Sequence, residues 1–223
     1  MSKSPVISVV LPCRNEEEGL RECIADIKRT LLGIGMAYEI IVSSSSDDAS
    51  DAIAREMGVK VVRCEKGYGN AYLEGFKHVS GDIIVMGDAD GTYNFGEIPL
   101  FLEKLEDGTD FVIGNRLGGK IENGAMKPLH RYIGNPFLTL LFNLLYSTKF
   151  SDTHSGFRVI PALKLKKLDL KSPGMEFALE MLIEVAKKNL IIAQVPISYR
   201  KRKGISKLRS FRDGIRHVKM MLR

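Results

Sequence analysis

Ile83-Ile84-Val85-Met86-Gly87-Asp88-Ala89-Asp90-Gly91-Thr92-Tyr93 is the stretch whose reading decides the fold. Four apolar residues, two Ile and one Val among them, predict a buried parallel strand. The strand ends on Gly87 and delivers two carboxylates, one residue apart, into the following loop. In open α/β sheets ligands gather just beyond the carboxyl ends of the strands. Two Asp side chains there suit a hard divalent cation, Mg²⁺ or Mn²⁺, which commonly shares its shell with substrate phosphates. Without a cation they repel, and one tends to stay protonated. An idle Asx turn closed by Gly91 uses the same residue types, so the neighbouring segments must decide.

Outward from that strand, β-branched runs alternate with helical spacing. Val6–Leu11, Tyr38–Val42, Val59–Val62 and Asp110–Ile113 predict further strands. Leu20, Ile24, Ile27 and Leu31 give the first helix its core face, with Glu16, Glu17 and Glu18 in the turn where the macrodipole favours acids. Further helices are expected from Asp48 to Met57, from Gly67 to about His78 and from Gly96 to Leu105. This β-α alternation predicts an α/β fold with a mostly parallel sheet and helices on both faces. After Gly114 the pattern changes. A helix is expected over 131–146, a strand over 155–160, a helix over 175–188 and a strand over 190–199. Pro196 makes that last strand an edge, or marks its end. A basic helix closes the chain. No repeat and no long linker divides the sequence, so a single domain over 1–223 is expected.

The 223 residues suffice for one large core. The net charge of +6 and the pI near 9.2 point to anionic partners. The excess is concentrated late: Arg200 to Arg223 holds eleven Lys, Arg or His against one acid, Asp213. Three cysteines, Cys13, Cys23 and Cys64, have no metal-ligand spacing and imply no disulfide framework, which fits a reducing cytoplasm. No signal peptide is evident, and no apolar run reaches the roughly 18–20 residues that span a bilayer. The turn after the first strand, Pro12-Cys13-Arg14-Asn15-Glu16, lacks the glycines of a dinucleotide site, and there is no P-loop. Aromatics do not interleave with the late basic residues, apart from Tyr199 and Phe211, so nucleic acid is not an expected partner.

The segment Ser8–Glu17, the Asp-Ala-Asp loop and Gly114-Asn115-Arg116 together resemble a family 2 glycosyltransferase of the GT-A fold. Asp152-Thr153-His154-Ser155-Gly156-Phe157-Arg158, Val195-Pro196-Ile197-Ser198-Tyr199 and Arg202–Leu208 are similar to the dolichol-phosphate mannose synthase and polyprenyl-phosphate glycosyltransferase branch. The likeness runs in order through nearly the whole chain. It implies transfer of a hexose from a UDP- or GDP-linked nucleotide sugar to a polyprenyl (dolichyl) phosphate, with Mg²⁺ or Mn²⁺ on Asp88 and Asp90. It further implies a donor half over about 1–116 and an acceptor and membrane-facing half over about 117–223. Pro12, Arg14 and Glu16 match positions that hold base and ribose, and Ser43, Gly67 and Ala89 fall in the same donor loops. Arg202 and Lys207 match basic residues that reach the donor phosphates. Arg116 and Arg158 are the candidates for gripping the acceptor phosphate, because a guanidinium fork fits phosphate oxygens.

No general base stands out among the motifs. A sugar hydroxyl acceptor would need one, whereas a lipid monophosphate is already largely dianionic at pH 7. There are departures from the branch. Ser43-Ser44 stands where the family usually has an Asp pair, and Thr92 stands where the mannose synthases usually have Gln. Transfer to a saccharide or other soluble acceptor, or an inactive nucleotide-binding domain, are the alternative readings.

Two helices suggest a peripheral protein at the cytoplasmic face of a membrane. Asn135, Thr139, Asn143 and Ser147 draw a narrow polar stripe on a helix otherwise made of Phe and Leu, wider in apolar surface than one core-facing stripe needs. Leu208, Phe211, Ile215, Val218 and Leu222 form an apolar stripe beside Arg209, Arg212, Arg216, Lys219 and Arg223, which suits an anionic surface. Packing within the core, or across the interface of a homo-oligomer, would use the same pattern.

Overall fold

The computed structural model describes residues 6–205 and 210–222. Its frame is one seven-stranded sheet in the order β3-β2-β1-β4-β6-β5-β7. Strand β1 (Ile7–Cys13) lies between β2 (Tyr38–Ser44) and β4 (Ile83–Met86), parallel to both, and β3 (Lys60–Arg63) extends the sheet beside β2. Alternation sorts the β1 side chains: Val9 and Leu11 join one apolar layer and Val10 the other. Helix α1 (Glu17–Gly33) covers the first layer, and Leu20, Ile24, Ile27 and Leu31 are fully buried there. Each contributes about 1.5–3 kcal/mol relative to exposure. A short helix α2 (Ser50–Glu56) leads into β3. Helix α3 (Tyr68–Phe76) lies on the opposite face, while α4 (Ile98–Glu106) joins the layer of α1.

Beyond β4 the sheet departs from plain alternation. Strand β5 (Phe111–Asn115) does not pair with β4. Strand β6 (Arg158–Pro161) is inserted between them and runs antiparallel to both, with Arg158 opposite Met86 on one side and Ile113 on the other. The reversal brings the start of β6 to the end of the sheet where β4 and β5 finish. Strand β7 (Ile192–Pro196) is the edge, parallel to β5, and stops at Pro196, which has no N–H to give.

The helix expected from residue 131 starts differently. Residues His130–Gly134 form a wide π turn, and α5 runs from Asn135 to Tyr146. Pro136 lacks the N–H that would bond Tyr132, which releases the ladder at that point. A short α6 (Ala162–Leu165) follows β6, and α7 (Phe177–Lys187) packs Phe177 onto Tyr72 of α3, rings stacked at 5.4 Å. The last helix, α8 (Ser210–Met221), lies against α5 and α7; Tyr146 donates to the Met221 carbonyl at 3.1 Å. Lys207, Leu208, Arg209 and Arg223, and the side chains of Phe211, Arg212 and Ile215, lie outside the described residues.

Candidate active site

The first turn of α1 presses on the loop after β4. A Cβ on Gly19 would lie 2.9 Å from the Asp90 carbonyl carbon and 3.0 Å from the Ala89 oxygen, so glycine alone fits this approach. The loop is held tightly. Thr92 donates to Asp90 Oδ1 through its backbone N–H (3.0 Å) and its hydroxyl (2.6 Å). Arg202 Nη1 lies 2.5 Å from Asp90 Oδ2, and Nη2 of the same guanidinium lies 2.6 Å from Glu16 Oε2. Both carboxylates are buried, and one arginine spans them. Ala89 is itself buried, its backbone against α1.

Asp88 retains some residue surface, but its Oδ1 is enclosed with no hydrogen-bond partner among the described residues. Burial, reinforced by the charge of Asp90, pushes its carboxyl up to about 7. An acid with an enclosed, orphaned oxygen beside Asp90 fits a hard cation, which would favour the charged form of Asp88. Among the described residues no cluster of three or more His, Cys, Asp or Glu gathers to hold a metal alone. A cation on Asp88 and Asp90 would therefore complete its shell from ligand oxygens and water, as Mg²⁺ usually does.

The loops after β1 and β2 are laced together. Ser46 Oγ accepts from the Asn15 amide at 2.9 Å, Ser50 Oγ accepts from the Glu16 amide at 2.9 Å, and Asn15 Oδ1 accepts from the Asp47 amide at 2.8 Å. Pro12 is half-buried near the end of β1, and Arg14 is exposed just beyond it. Ser43 and Ser44 diverge, as neighbours on a strand must. Ser43 is fully buried toward α3, its hydroxyl without a hydrogen-bond partner among the described residues. Ser44 instead donates to Asp51 Oδ1 at 2.5 Å, and Arg63 from the end of β3 holds Asp51 Oδ2 at 2.7 Å. A carboxylate thus stands behind the serine tract, supplied by the next helix. Gly67 has φ +149°, and a Cβ there would lie 2.2 Å from the Pro173 carbonyl oxygen; its place is a close backbone contact at the start of α3.

The two arginines expected at the acceptor phosphate face inward. Arg116 Nε and Nη2 donate to Asp152 Oδ2 and Oδ1 at 2.7 and 2.8 Å, and its guanidinium lies 5.1 Å from the Tyr199 ring centroid. Burial alone would lower the Arg116 pKa; the Asp152 charge outweighs it and holds it well above the usual value. Arg158 is fully buried and donates to the carbonyls of Ser155 (2.9 Å), Ala178 (2.6 Å) and, at 3.5 Å, Thr153. Burial depresses its pKa. Neither guanidinium offers an open fork in this conformation. They tie down the loop from Asp152 to Gly156, whose far end meets Asp88. A Cβ on Gly156 would lie 2.9 Å from the Tyr68 hydroxyl, 3.2 Å from Asp88 Oδ2 and 3.3 Å from the Tyr93 hydroxyl, which accepts from the Gly156 amide at 2.7 Å. His154 in this loop is pushed down to about 3 by burial and by His217; its ring nitrogens lie 3.0 Å from Thr153 Oγ1 and 3.2 Å from His217 Nδ1. Lys207 lies outside the described residues.

Sequence reasoning missed Asp51, Asp152 and the hydroxyls of Tyr68 and Tyr93. Asp152 lies in the same short motif as Arg158, a signal that an acid there needs a cation. Asp51 is an ordinary acid in a helical first turn and gives no local sign.

Helix α5 borders the same loop with Thr139 and Asn143 of its polar stripe inward, while Ser147 lies past its end and is exposed. Thr139 Oγ1 lies 2.9 Å from Thr153 Oγ1, and Asn143 brackets Phe150, donating to its carbonyl at 2.8 Å and accepting from its amide at 2.9 Å. The outward face is apolar: Leu129, Tyr132, Ile133, Phe137, Leu140 and Leu144 are 58–72% exposed. On α8, His217 and Met221 turn inward, Arg216 and Lys219 are exposed, and Leu222 stands open. Among the described residues no helix is long and apolar enough to cross a membrane.

Comparison with known proteins agrees with this arrangement. The low-salt glycan biosynthesis hexosyltransferase Agl6 of Haloferax volcanii is 45% identical over 98% of this chain, which spans 54% of that protein's length. The dolichyl-phosphate hexose transferase of the same organism is 33% identical over 93% of the chain and 89% of its own length. Glucosyl-3-phosphoglycerate synthase from Mycobacterium tuberculosis, solved with Mn²⁺, UDP and glucosyl-3-phosphoglycerate, superposes with a TM-score of 0.76 at 24% identity over 98% of this chain and 79% of that one, which establishes the shared GT-A fold. The family model for glycosyl transferase family 2 matches residues 8–168. With the carboxylate loop beyond β4 inside that match, the chain belongs to glycosyl transferase family 2.

Proposed function

We propose that the protein transfers a hexose from a UDP- or GDP-linked donor to a polyprenyl (dolichyl) phosphate at a membrane surface. The observation that carries this reading is the orientation of helix α5: its polar side holds the loop that touches Asp88, and its apolar side faces outward, uncovered by any of the described residues. A lipid phosphate approaching along that face would arrive beside the carboxylate cleft. The dolichyl-phosphate hexose transferase at 33% identity supports the same acceptor class.

Each half of the chain has its part in this reading. Residues up to about 116 hold the donor, with Pro12, Arg14 and Glu16 around the nucleoside and Asp88 and Asp90 holding Mg²⁺ or Mn²⁺. That cation, when bound, neutralises the charge that develops on the departing nucleotide diphosphate. Residues from about 117 onward form the acceptor side. Arg116 and Arg158 act there as positioning residues, fixing the Asp152–Gly156 loop rather than offering a free fork. No proton need be taken from a phosphate that is already dianionic. This agrees with His154, whose two ring nitrogens face Thr153 and His217.

The test is a donor and acceptor screen. UDP- and GDP-hexoses are incubated with Mn²⁺ or Mg²⁺ and a short polyprenyl phosphate, a saccharide or 3-phosphoglycerate, and products are resolved by mass. A hexosyl polyprenyl phosphate is expected. Transfer only to a soluble acceptor would overturn the acceptor assignment, and nucleotide binding without transfer to any acceptor would overturn the enzymatic one.

A further inference from the structure

The bridge made by Arg202 is an unusual use of a cation in a site built for another. Asp90 and Glu16 come from loops far apart in sequence, and both carboxylates are withdrawn from solvent. Two such anions facing one cleft repel unless a cation lies between them. Here the Arg202 guanidinium does so, with Nη1 on Asp90 Oδ2 and Nη2 on Glu16 Oε2. Its Nε is buried with no hydrogen-bond partner among the described residues, so the contacts with these anions are made by its terminal nitrogens.

The segment that carries Arg202 is held independently of this side chain. Tyr199 bridges Tyr93, the Arg200 amide donates to the Thr92 carbonyl at 2.8 Å, and the Lys203 amide donates to the Asp90 carbonyl at 2.8 Å. Lys203 also pairs with Glu22 on α1. These contacts would keep the backbone in place through a change of partners by the Arg202 side chain.

We propose that Arg202 is an internal counter-cation that bars free divalent metal from Asp90 and releases that carboxylate only when a nucleotide diphosphate arrives to receive the guanidinium. The inference rests on the donor reading above. A divalent ion at Asp90 Oδ2 meets the positive charge already there, and the repulsion is strong in a partly desolvated cleft. A diphosphate removes the conflict, because it offers the displaced guanidinium a fork of anionic oxygens and gives the metal its remaining ligands. Metal and nucleotide then bind with positive coupling, and the coupling is reciprocal.

Mn²⁺ binding to the full chain, followed by the electron paramagnetic resonance signal of the free ion, tests this without turnover. Wild-type protein is expected to bind Mn²⁺ weakly alone and at least about tenfold more tightly with saturating UDP or GDP, within the usual range of coupling between sites. Arg202→Gln is expected to bind Mn²⁺ alone about tenfold more tightly than wild type, and to gain less from nucleotide. Arg202→Lys, which keeps a charge but cannot span two carboxylates, falls between them. Adding Asp90→Asn to Arg202→Gln abolishes the gain. Thermal melts of each variant confirm the fold, and the lysine variant preserves the test should the glutamine variant melt early. Unchanged Mn²⁺ affinity in the folded Arg202 variants, with wild type still binding Mn²⁺ and nucleotide together, overturns the proposal and leaves the donor reading standing. Absence of Mn²⁺ binding in wild type with either nucleotide overturns both.

Discussion

Arg116 and Asp152 meet through two parallel hydrogen bonds of 2.7 and 2.8 Å, with the Arg116 amide adding a third to the same carboxylate at 3.2 Å. This joins the end of β5 to the loop that runs to Gly156. Both side chains are withdrawn from water, so losing one strands the other.

Asp152→Asn is expected to destabilise the protein by about 3–5 kcal/mol, the range for breaking a buried pair from one side. Urea unfolding at pH 7 measures it. The pH dependence has a definite sign. Asp152 is held below its ordinary pKa, Arg116 outweighing the burial that would raise it. Its contribution is complete above the unfolded carboxylate value near ~4 and is lost as pH falls below that. The variant's stability should therefore converge on wild type in acid; a constant gap down to pH 3 contradicts this assignment.

Arg158→Ala removes the donor that serves the carbonyls of Ser155 and Ala178. A loss of about 3 kcal/mol is expected, since each stranded buried group costs roughly 1–3 kcal/mol. Transfer to lipid phosphate should fall by about 10²-fold, the cost of a loop misplaced by ~1 Å. Nucleotide affinity, measured by calorimetry below the melting point, should change little. Lost nucleotide binding with intact acceptor use would move Arg158 to the donor side.

Asp51→Asn tests the carboxylate behind the serine tract. Ser44 and Arg63 both depend on Asp51, and the expected outcome is about tenfold weaker nucleotide binding with the fold intact. Selectivity between UDP and GDP should stay modest in wild type. A ratio above about 10⁴, typical of sites built on buried polar pairing, would show a stricter reading of the base than this geometry supports.

Leu140→Glu with Leu144→Glu tests the outward face of α5. These side chains are 58% and 72% exposed, so each change should alter stability by no more than about 0.5 kcal/mol. Flotation with anionic vesicles at low salt should bring wild type to the lipid fraction and leave the double variant behind. Equal flotation of both, or of neither, removes α5 from any membrane role.

The first half of the fold was legible because its signals are local. Val9, Val10 and Leu11 state a buried strand, and Leu20, Ile24, Ile27 and Leu31 state a helix, without reference to distant residues. The position of β6 was not legible. Arg158-Val159-Ile160 spells a strand, but nothing local says that it runs backwards between β4 and β5. The place of Asp88 and Asp90 in the loop beyond β4 was legible because they follow an unmistakable strand. The inward orientation of Arg116 and Arg158 was missed because their partners, Asp152 and the Ala178 carbonyl, are chosen by tertiary packing. The polar stripe of α5 was visible, whereas the way it faces depended on Thr153 and Phe150.

The backward strand also sets a timetable for synthesis. Strands β1 to β3 find all their partners among the first 86 residues and can pair as soon as these emerge, whereas the outer edge of β4 waits for β6. Strand β5 borders only β6 and β7, so both its edges stay open until residues 158–161 and 192–196 are made. An apolar strand with bare edges invites pairing with other chains. A nascent chain stopped near residue 150 is expected to aggregate, whereas one carried past 200 closes its own sheet.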